Sequence, residues 1–226
     1  MLRVNEIFRS IQGEGILTGQ PMAFLRLFGC NLDCKYCDTD YSRKAGNHYE
    51  ELSVKEITNR VKGLPTRKGH WICITGGEPL LQEEELGKLV NLLALEGIKI
   101  TIETNGSFPK PDWAKRVSSW NADIKCPSSG MGGKSLDDWF YLTPFDQVKF
   151  VVSDRTDLIF VGKALERNRT RTSTVLVSPC LDLLPSGEMS RKSKEWLPAV
   201  ASFCVEMNVV FSFQIHKVIW GSKRGV

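Results

Sequence analysis

The sequence predicts an α/β fold of parallel strands, a partial (βα)6-type barrel built as one domain over residues 1–226. Short apolar runs alternate with stretches that carry leucines at helical spacing, and this alternation favours a parallel sheet with right-handed crossovers. A chain of 226 residues can bury one full core. Motifs rich in glycine, cysteine and polar residues follow directly after the predicted strands, where a barrel carries its functional groups.

Seven segments are predicted as strands, because each is a short apolar run bounded by turn residues. They are residues 23–29, 70–75, 98–103, 119–125, 147–153, 174–179 and 209–215. The segment before the first strand, VNEIFRSIQGEG, ends in a glycine-rich turn.

Helices are predicted between these strands. Ser53, followed by Glu56 three residues later, forms a capping-box signature for a helix that ends near Leu64. The run LLQEEELGKLVNLLALEG is helical, with Gly97 suited to its C-terminal cap. A third long helix is predicted over SRKSKEWLPAVASFCVEMN, with Pro198 at a kink or near its start. Shorter helices are predicted around residues 114–117 and 136–142.

Composition and cysteine usage point to a reducing compartment. The chain has seven cysteines, of which three are clustered and four are isolated, namely Cys73, Cys126, Cys180 and Cys204. Isolated cysteines are usually small buried hydrophobes, so a disulfide framework is not expected. We find no signal peptide and no apolar run of bilayer length, and we expect a cytoplasmic protein that binds no membrane. A net charge of +4 is too mild to argue for nucleic-acid binding.

The most informative stretch is CNLDCKYCDTDY, residues 30–41. Cys30, Cys34 and Cys37 have C-x3-C-x2-C spacing, so three thiolates can hold three irons of a four-iron, four-sulfur cluster and leave the fourth iron open. The alternatives are reduced structural thiols, or a zinc site completed by a distant cysteine or histidine. The hydroxyl of Thr39 is a plausible single protein ligand for Mg²⁺, or a turn residue.

The motif TGGEP follows the second predicted strand. Its two glycines allow a ligand to approach the backbone, whose N–H groups can bind a carboxylate. Taken alone, the motif is also compatible with an ordinary turn between a strand and a helix.

With Tyr36 before the last cysteine, the three-cysteine loop resembles the cluster loop of the radical S-adenosylmethionine superfamily. The resemblance implies that the open iron binds the amino and carboxylate groups of the cofactor's methionine. It also implies that TGGEP contacts the methionine end, chiefly through Gly77, and that Thr75 faces the substrate.

Two motifs together resemble the 7-carboxy-7-deazaguanine synthase family, namely IQGEG and LRLFGCNLDCKYCDT. The resemblance extends over nearly the whole chain through ETNG, IKCPSSG and the HK-containing tail. This resemblance implies that Arg26 binds a pterin carboxylate and that Thr39 binds Mg²⁺. Arginine binds carboxylates in bidentate fashion, and side-chain oxygens suit the amino-pyrimidinone edge of a pterin. The implied pterin contacts are Gln12, Gly13 and Glu14.

The family's contacts to S-adenosylmethionine map onto several positions, some of which depart from its pattern. DIK stands where many members have SPK, and SPC stands where a QP pair is common. The implied cofactor contacts are Tyr36, Cys37, Asp38, Gly77, Asp123, Ile124, Lys125, Ser178 and Pro179. The basic tail IHKVIWGSKRGV either closes over the substrate or leaves His216 and Lys217 on the surface.

The function implied by the resemblance is ring contraction of 6-carboxytetrahydropterin to 7-carboxy-7-deazaguanine with loss of ammonia, on the route to queuosine or archaeosine. A radical derived from S-adenosylmethionine takes a hydrogen from the pterin ring. The resemblance further implies an electron donor such as flavodoxin or ferredoxin, and a homodimer. The alternatives are an activase of a glycyl-radical enzyme, and a non-catalytic zinc or iron–sulfur binding module acting through nucleic acid.

Overall fold

A computed structural model describes residues 1–43, 46, 48–64, 70–184, 186–221 and 223–226. Its nine strands form one sheet. They are β1 (Leu2–Ile11), β2 (Pro21–Leu27), β3 (Glu50–Leu52), β4 (Trp71–Gly76), β5 (Lys99–Thr104), β6 (Ser119–Asp123), β7 (Gln147–Val152), β8 (Thr174–Pro179) and β9 (Val210–Phe211). The helices are α1 (Val54–Gly63), α2 (Glu83–Leu95), α3 (Arg155–Arg167), α4 (Arg191–Met207) and α5 (Ile215–Trp220).

The sheet has the order β3-β1-β2-β4-β5-β6-β7-β8-β9. From β2 onward each neighbouring pair is parallel, which confirms the predicted α/β class and places the ends of these strands on one rim. The strands β1 and β3 add an antiparallel edge that the sequence analysis did not predict. The residues of β1 are a mixture of apolar and charged side chains, so it lacks the continuous apolar run of a buried parallel strand.

The capping box at the start of α1 is confirmed, because the Ser53 side chain accepts from the Glu56 N–H and the Glu56 carboxylate accepts from the Ser53 N–H. Gly97, after α2, has a φ of +72°, which suits its predicted role as a helix cap. Pro198 lies inside α4. None of the helices in the described part of the chain is long and apolar enough to cross a membrane.

Two predicted helices are only 3₁₀ turns, over Asp112–Arg116 and Asp137–Phe140. The first begins after Pro111 and ends at Val117, whose extended backbone leads directly into β6, so only a short turn fits between them.

The last predicted strand, residues 209–215, was too long. Only Val210–Phe211 pairs with β8, and the chain then turns into the short helix α5. The Ser212 N–H still donates to the Val177 carbonyl, but the Ile215 N–H donates to the Gly13 carbonyl at 3.0 Å. This contact draws the C-terminal tail away from the sheet edge and onto the N-terminal turn.

The two faces of the sheet differ in character because side chains alternate along each strand. One face is apolar and forms the main core with the helices; it includes Leu25, Ile74, Ile102, Ala122, Val148 and Phe150. The opposite face carries polar side chains toward a cavity; they include Arg26, Thr75, Glu103, Asn121, Asp123 and Lys149. Strand register aligns Arg26 with Thr75, and Asp123 with Lys149. The side of the sheet that faces the cavity therefore carries a row of polar side chains.

Candidate active site

A cavity of about 470 Å³ lies against the polar face of the sheet, within the range of small-molecule sites. It brings together most of the residues that the sequence analysis selected: Gln12, Gly13, Glu14, Arg26, Cys30, Cys34, Tyr36, Cys37, Asp38, Thr39, Thr75, Gly77, Asp123 and Lys125. Ile124, Ser178 and Pro179 do not line it. Their roles stay predictions, as do those of the residues that do.

At one end of the cavity lie the three thiols of the predicted cluster loop. Cys30, Cys34 and Cys37 are partly buried and free of disulfides, and the Cys37 N–H donates to the Cys34 carbonyl at 3.2 Å in a tight turn. Burial raises the pKa of both Cys30 and Cys34, and the neighbouring Cys37 adds to the effect.

The donor set of this loop distinguishes between a zinc ion and an iron–sulfur cluster. Among the described residues, no group of three or more histidine, cysteine, aspartate or glutamate side chains is arranged to enclose a metal ion. A structural zinc site is closed by four protein ligands, whereas an iron–sulfur cluster is larger and is held from its corners by thiolates. Three thiols that line one cavity, with no fourth protein ligand gathered beside them in the described part of the chain, fit a cluster with an open iron better than they fit zinc.

The glycines of TGGEP allow close approach between the second parallel strand and the cluster loop. A Cβ on Gly77 would lie 2.1 Å from the Gly29 carbonyl oxygen, and the Glu78 N–H donates to that same oxygen at 2.7 Å. A Cβ on Gly76 would lie 2.1 Å from the Leu27 carbonyl oxygen. Any side chain here would push the backbone of the cluster loop away from its support.

Glu78 itself was missed by the sequence analysis, which treated it as part of a turn. Its carboxylate is fully buried and accepts hydrogen bonds from the Leu80 N–H (2.9 Å), the Thr104 hydroxyl (2.8 Å) and the Asn105 N–H (2.7 Å). The Asn105 amide in turn donates to Asn31 Oδ1 at 2.9 Å, beside Cys30. Glu78 therefore ties the loop after β5 to the cluster loop.

Around the cysteine end, the predicted cofactor residues differ in exposure. Lys125 Nζ pairs with Asp123 Oδ2 at 3.0 Å, and the Tyr36 hydroxyl donates to the Val151 carbonyl at 3.3 Å. Ile124 is packed in the apolar core, and Ser178 is fully buried on β8. Ile124 can therefore reach a ligand only through its backbone, whereas Ser178 is aligned with Val151 of the cavity wall and lies on the side of β8 opposite the core residue Val177.

The opposite end of the cavity centres on Gln12, Glu14 and an unpredicted carboxylate, Glu103. Gln12 Nε2 donates to Glu103 Oε1 at 3.1 Å, and the Thr75 hydroxyl donates to Glu103 Oε2 at 3.0 Å. The Glu14 N–H donates to Gln12 Oε1 at 3.2 Å. These bonds fix the IQGEG turn against the ends of two parallel strands.

Glu14 is held as a carboxylate. Its Oε1 accepts from Gln214 Nε2 at 2.7 Å, and its Oε2 contacts the Lys149 ammonium. Burial by itself raises the pKa of Glu14, but the charges of Lys149 and then His216 outweigh burial, and the pKa lies well below its ordinary value.

Arg26 lies in a mixed environment of charge and aromatic rings. Its Nε donates to Glu6 Oε1 at 2.6 Å, and the Tyr41 hydroxyl donates to the same oxygen at 2.9 Å. The Arg224 guanidinium of the tail stacks 3.6 Å from the centroid of the Tyr41 ring. The terminal nitrogens of Arg26 are the ones that a ligand carboxylate would engage in a bidentate contact.

The tail IHKVIWGSKRGV forms part of the cavity wall, and its closure over the substrate stays a prediction. Lys217 Nζ pairs with Asp38 Oδ2 at 3.0 Å. Asp38 is 47% exposed, so desolvation raises its pKa only in part, and the Lys217 charge outweighs this and lowers the pKa. His216 packs so closely on Gly13 that a Cβ there would lie 2.2 Å from Nδ1.

Sequence reasoning missed Glu103 and Lys149, although a signal was present. Each is a polar residue inside a predicted strand, at a position that alternates with buried apolar ones. Since alternate residues face the same side of a strand, these positions share the face of Arg26 and Thr75. A search for polar residues on that face would have found both.

Comparison with known proteins decides the family. The sequence signature of the Radical SAM superfamily matches residues 26–137. The 7-carboxy-7-deazaguanine synthase of Methanospirillum hungatei JF-1 is 42% identical over 180 residues, which span 79% of this chain and 72% of the relative. That of Koribacter versatilis is 37% identical over 227 residues, 97% of each chain. The chain belongs to the 7-carboxy-7-deazaguanine synthase family. The resemblance stated from the motifs is thereby confirmed.

Solved structures agree on the fold. QueE from Escherichia coli superposes with a TM-score of 0.70 at 22% identity, covering 94% of this chain and 93% of its own. Native anSMEcpe with bound AdoMet gives a TM-score of 0.54 at 17% identity, over 87% of this chain and 65% of its own. At these identities the likeness concerns architecture only, and it supports the predicted partial barrel of the radical S-adenosylmethionine core.

Proposed function

We propose that this chain, acting as one domain over residues 1–226, converts 6-carboxytetrahydropterin to 7-carboxy-7-deazaguanine by ring contraction with loss of ammonia. One observation carries the proposal: in a member of the 7-carboxy-7-deazaguanine synthase family, a single cavity joins a three-cysteine loop to a turn and an arginine suited to a carboxylated pterin. The product is an intermediate for deazapurine-modified tRNA nucleosides, queuosine or archaeosine.

At the substrate end, the chain's own residues bind and orient the pterin. Gln12 and Glu14 present acceptors to the amino-pyrimidinone edge, and Gly13, whose missing Cβ makes room for His216, contacts the pterin through its backbone. Arg26 binds the substrate carboxylate through its terminal nitrogens, while Glu6 holds the guanidinium in position. Thr75, fixed by Glu103, faces the reacting ring.

At the other end, Cys30, Cys34 and Cys37 hold a four-iron, four-sulfur cluster, and the superfamily's cofactor is S-adenosylmethionine. When bound, this pair supplies the one-electron, hydrogen-abstracting chemistry that protein side chains lack. The chain orients the cofactor and excludes water. The proposed contacts are Tyr36, Cys37, Asp38, Gly77, Asp123, Ile124, Lys125, Ser178 and Pro179.

We assign a Mg²⁺ ion to the Thr39 hydroxyl, which lines the cavity 3.8 Å from Cys37 Sγ. The adjacent carboxylate of Asp38 is paired through Oδ2 with Lys217, whose positive charge disfavours a second cation on that side chain. Mg²⁺ keeps most of its water and accepts a single protein ligand together with oxygens of the substrate, here the pterin carboxylate.

The same proposal extends to partners and compartment. We expect reduction of the cluster by a small electron-transfer protein such as flavodoxin or ferredoxin, assembly as a homodimer, and a cytoplasmic location. All seven cysteines are free, as a reducing compartment requires.

The test is anaerobic turnover. Reconstituted protein should carry roughly four irons per chain, and after reduction with S-adenosylmethionine and 6-carboxytetrahydropterin it should yield 7-carboxy-7-deazaguanine by mass spectrometry, whereas Cys34→Ala should yield none. Cleavage of S-adenosylmethionine without this product would favour the glycyl-radical activase, and a colourless protein with one zinc would favour the metal-binding module.

A further inference from the structure

Lys149 is a buried lysine on β7 with no assigned role. Its side chain is only 8% exposed, its ammonium contacts Glu14 Oε2, and it lies 3.6 Å from Asp123 Oδ2. A buried lysine without such partners would tend to lose its charge. Here burial lowers the pKa of Lys149, but Glu14 and then Asp123 outweigh burial, so the net pKa is raised and the ammonium persists.

The position of Lys149 links the two ends of the cavity. Glu14 belongs to the turn assigned to the substrate, whereas Asp123 pairs with Lys125 at 3.0 Å at the end assigned to the cofactor. The charges therefore alternate from Glu14 through Lys149 and Asp123 to Lys125. Register explains the contact, since Asp123 and Lys149 are aligned on neighbouring parallel strands.

Other charged groups also face this pair, and all belong to elements packed around it. His216 Nε2 of α5 lies 4.0 Å from Glu14 Oε1. The more distant charges acting on Glu14 or Lys149 are those of Asp38, Glu103, Lys125 and Lys217. Lys149 is the nearest cation to Glu14, and its charge is the strongest influence opposing burial.

The cavity around Glu14 is rich in acceptors that lack donors. Asn121 Oδ1, Asp123 Oδ1 and Gln214 Oε1 are buried, line the cavity and have no hydrogen-bond partner among the described residues. Each carboxylate oxygen of Glu14 also has a second lone pair beyond its bond to Gln214 or Lys149. Because those three atoms are inaccessible to solvent, the Glu14 carboxylate is the acceptor that a ligand with several N–H or O–H groups would engage.

We propose that Lys149 is a positioning residue that holds Glu14 as a fixed carboxylate and thereby selects a ligand whose edge presents N–H donors. The inference deepens the proposed function and rests on it, since the ligand there is the amino-pyrimidinone edge of 6-carboxytetrahydropterin. Lys149 acts through Glu14 and does not touch the reacting ring.

The binding test measures Kd for 6-carboxytetrahydropterin by anaerobic calorimetry from pH 6 to pH 8.5, for the wild type, Lys149→Met, Lys149→Arg, Glu14→Gln and the double variant Glu14→Gln/Lys149→Met. Lys163→Met, an exposed lysine on α3, is the matched control. Lys149 is the strongest influence opposing burial, so without it we expect the pKa of Glu14 to rise above its ordinary value and the carboxylate to take up a proton as the pH falls.

Lys149→Met should therefore weaken binding by about tenfold at pH 6, the size expected when a charge-assisted hydrogen bond becomes neutral, and the deficit should shrink toward pH 8.5. Lys149→Arg should keep the pH profile of the wild type. In the Glu14→Gln background the further change Lys149→Met should alter Kd by less than about twofold, because the two residues act as a unit.

A ligand-free measurement separates this inference from the proposed function. In the wild type the pKa of Glu14 is lower in the folded protein than in the unfolded chain. Glu14 therefore adds stability at pH values above its pKa in the unfolded chain, and this stability is lost as the pH falls through its pKa in the folded protein. In Lys149→Met the sign reverses, so the deficit in Tm relative to the wild type should shrink from pH 8 to pH 5, and Glu14→Gln should abolish that pH dependence.

A Lys149→Met protein that binds the pterin like the wild type at every pH would overturn the inference. So would a result in which Lys149→Met weakens pterin binding by the same factor in the Glu14→Gln background as in the wild type. If the wild type does not bind the pterin, the proposed function fails and ligand selection fails with it. The Tm profiles still report whether Lys149 controls the charge of Glu14. If Lys149→Met does not fold, two other variants allow the comparison of Kd with and without the Lys149 charge. The double variant leaves no unpaired Glu14 charge, and Lys149→Arg keeps the positive charge beside Glu14.

Discussion

Replacing the buried carboxylate of Glu78 should destabilise the protein strongly, although Glu78 touches no proposed ligand. Glu78→Ala leaves three donors without an acceptor: the N–H groups of Leu80 and Asn105 and the hydroxyl of Thr104. An unsatisfied buried donor costs about 1–3 kcal/mol. Some donors will recover a water in the vacated space, so the expected loss is about 3–5 kcal/mol, a large share of the 5–15 kcal/mol that is typical of a folded domain.

The assay is urea unfolding of the cluster-free protein under reducing conditions, followed by circular dichroism, with the free energy taken from the midpoint and slope. Glu78→Gln should lose less than Glu78→Ala, because the amide keeps the shape and one acceptor oxygen. Glu84→Ala is the control. That glutamate is 86% exposed on α2, and its loss should leave the midpoint unchanged.

The result also has a pH signature. Burial raises the pKa of Glu78, and its hydrogen bonds only partly offset this. The folded state then holds the Glu78 proton more tightly than the unfolded state, so the contribution of Glu78 to stability falls as the pH rises from the unfolded pKa through the folded one. Glu78→Gln should remove this slope. A Glu78→Ala protein within about 1 kcal/mol of the wild type would refute the view that this carboxylate holds the loops together.

Three further predictions concern the cavity. Arg26→Ala should weaken pterin binding by about 10- to 100-fold, the loss of a bidentate charged contact, while iron content and S-adenosylmethionine binding stay unchanged; a parallel loss of iron would contradict the assignment. Gly77→Ala should lower both iron content and cofactor affinity, because its Cβ would meet the Gly29 carbonyl at 2.1 Å, whereas Gly63→Ala, with open space around it, should be silent in both assays. Thr39→Ala should lose the stimulation of turnover by Mg²⁺, and a variant that keeps full Mg²⁺ dependence would refute the metal assignment.

The parallel core of the fold was predictable because its strands are short apolar runs, and the capping box and Gly97 mark local geometry that depends on few neighbours. The antiparallel edge strand β1 was not predictable, because its place in the sheet is set by pairing with β2 and β3 rather than by burial of an apolar run. The last strand failed for a similar reason. Its end at Phe211 is decided by the contact of Ile215 with Gly13, about 200 residues away in sequence.

The candidate site divides in the same way. The residues near the cysteines are contiguous in sequence, so their motif is visible without a structure. Glu103 and Lys149 act through partners on other strands, and only their alternation with apolar residues inside a strand marks them in the sequence. The role of Glu78 was hidden because a glutamate after two glycines looks like an exposed turn residue, whereas its three donors come from two separate loops.

The most direct test of the central claim, that one cavity brings the pterin ring to the cofactor, is transfer of an isotope between them. Reduced, reconstituted protein is incubated with S-adenosylmethionine and 6-carboxytetrahydropterin deuterated on the carbons of its reduced ring, and the adenosyl group is then analysed by mass spectrometry. We predict deuterium on the 5′ carbon of the recovered cofactor or of 5′-deoxyadenosine, together with 7-carboxy-7-deazaguanine. Unlabelled adenosyl groups alongside an unchanged pterin would contradict the account.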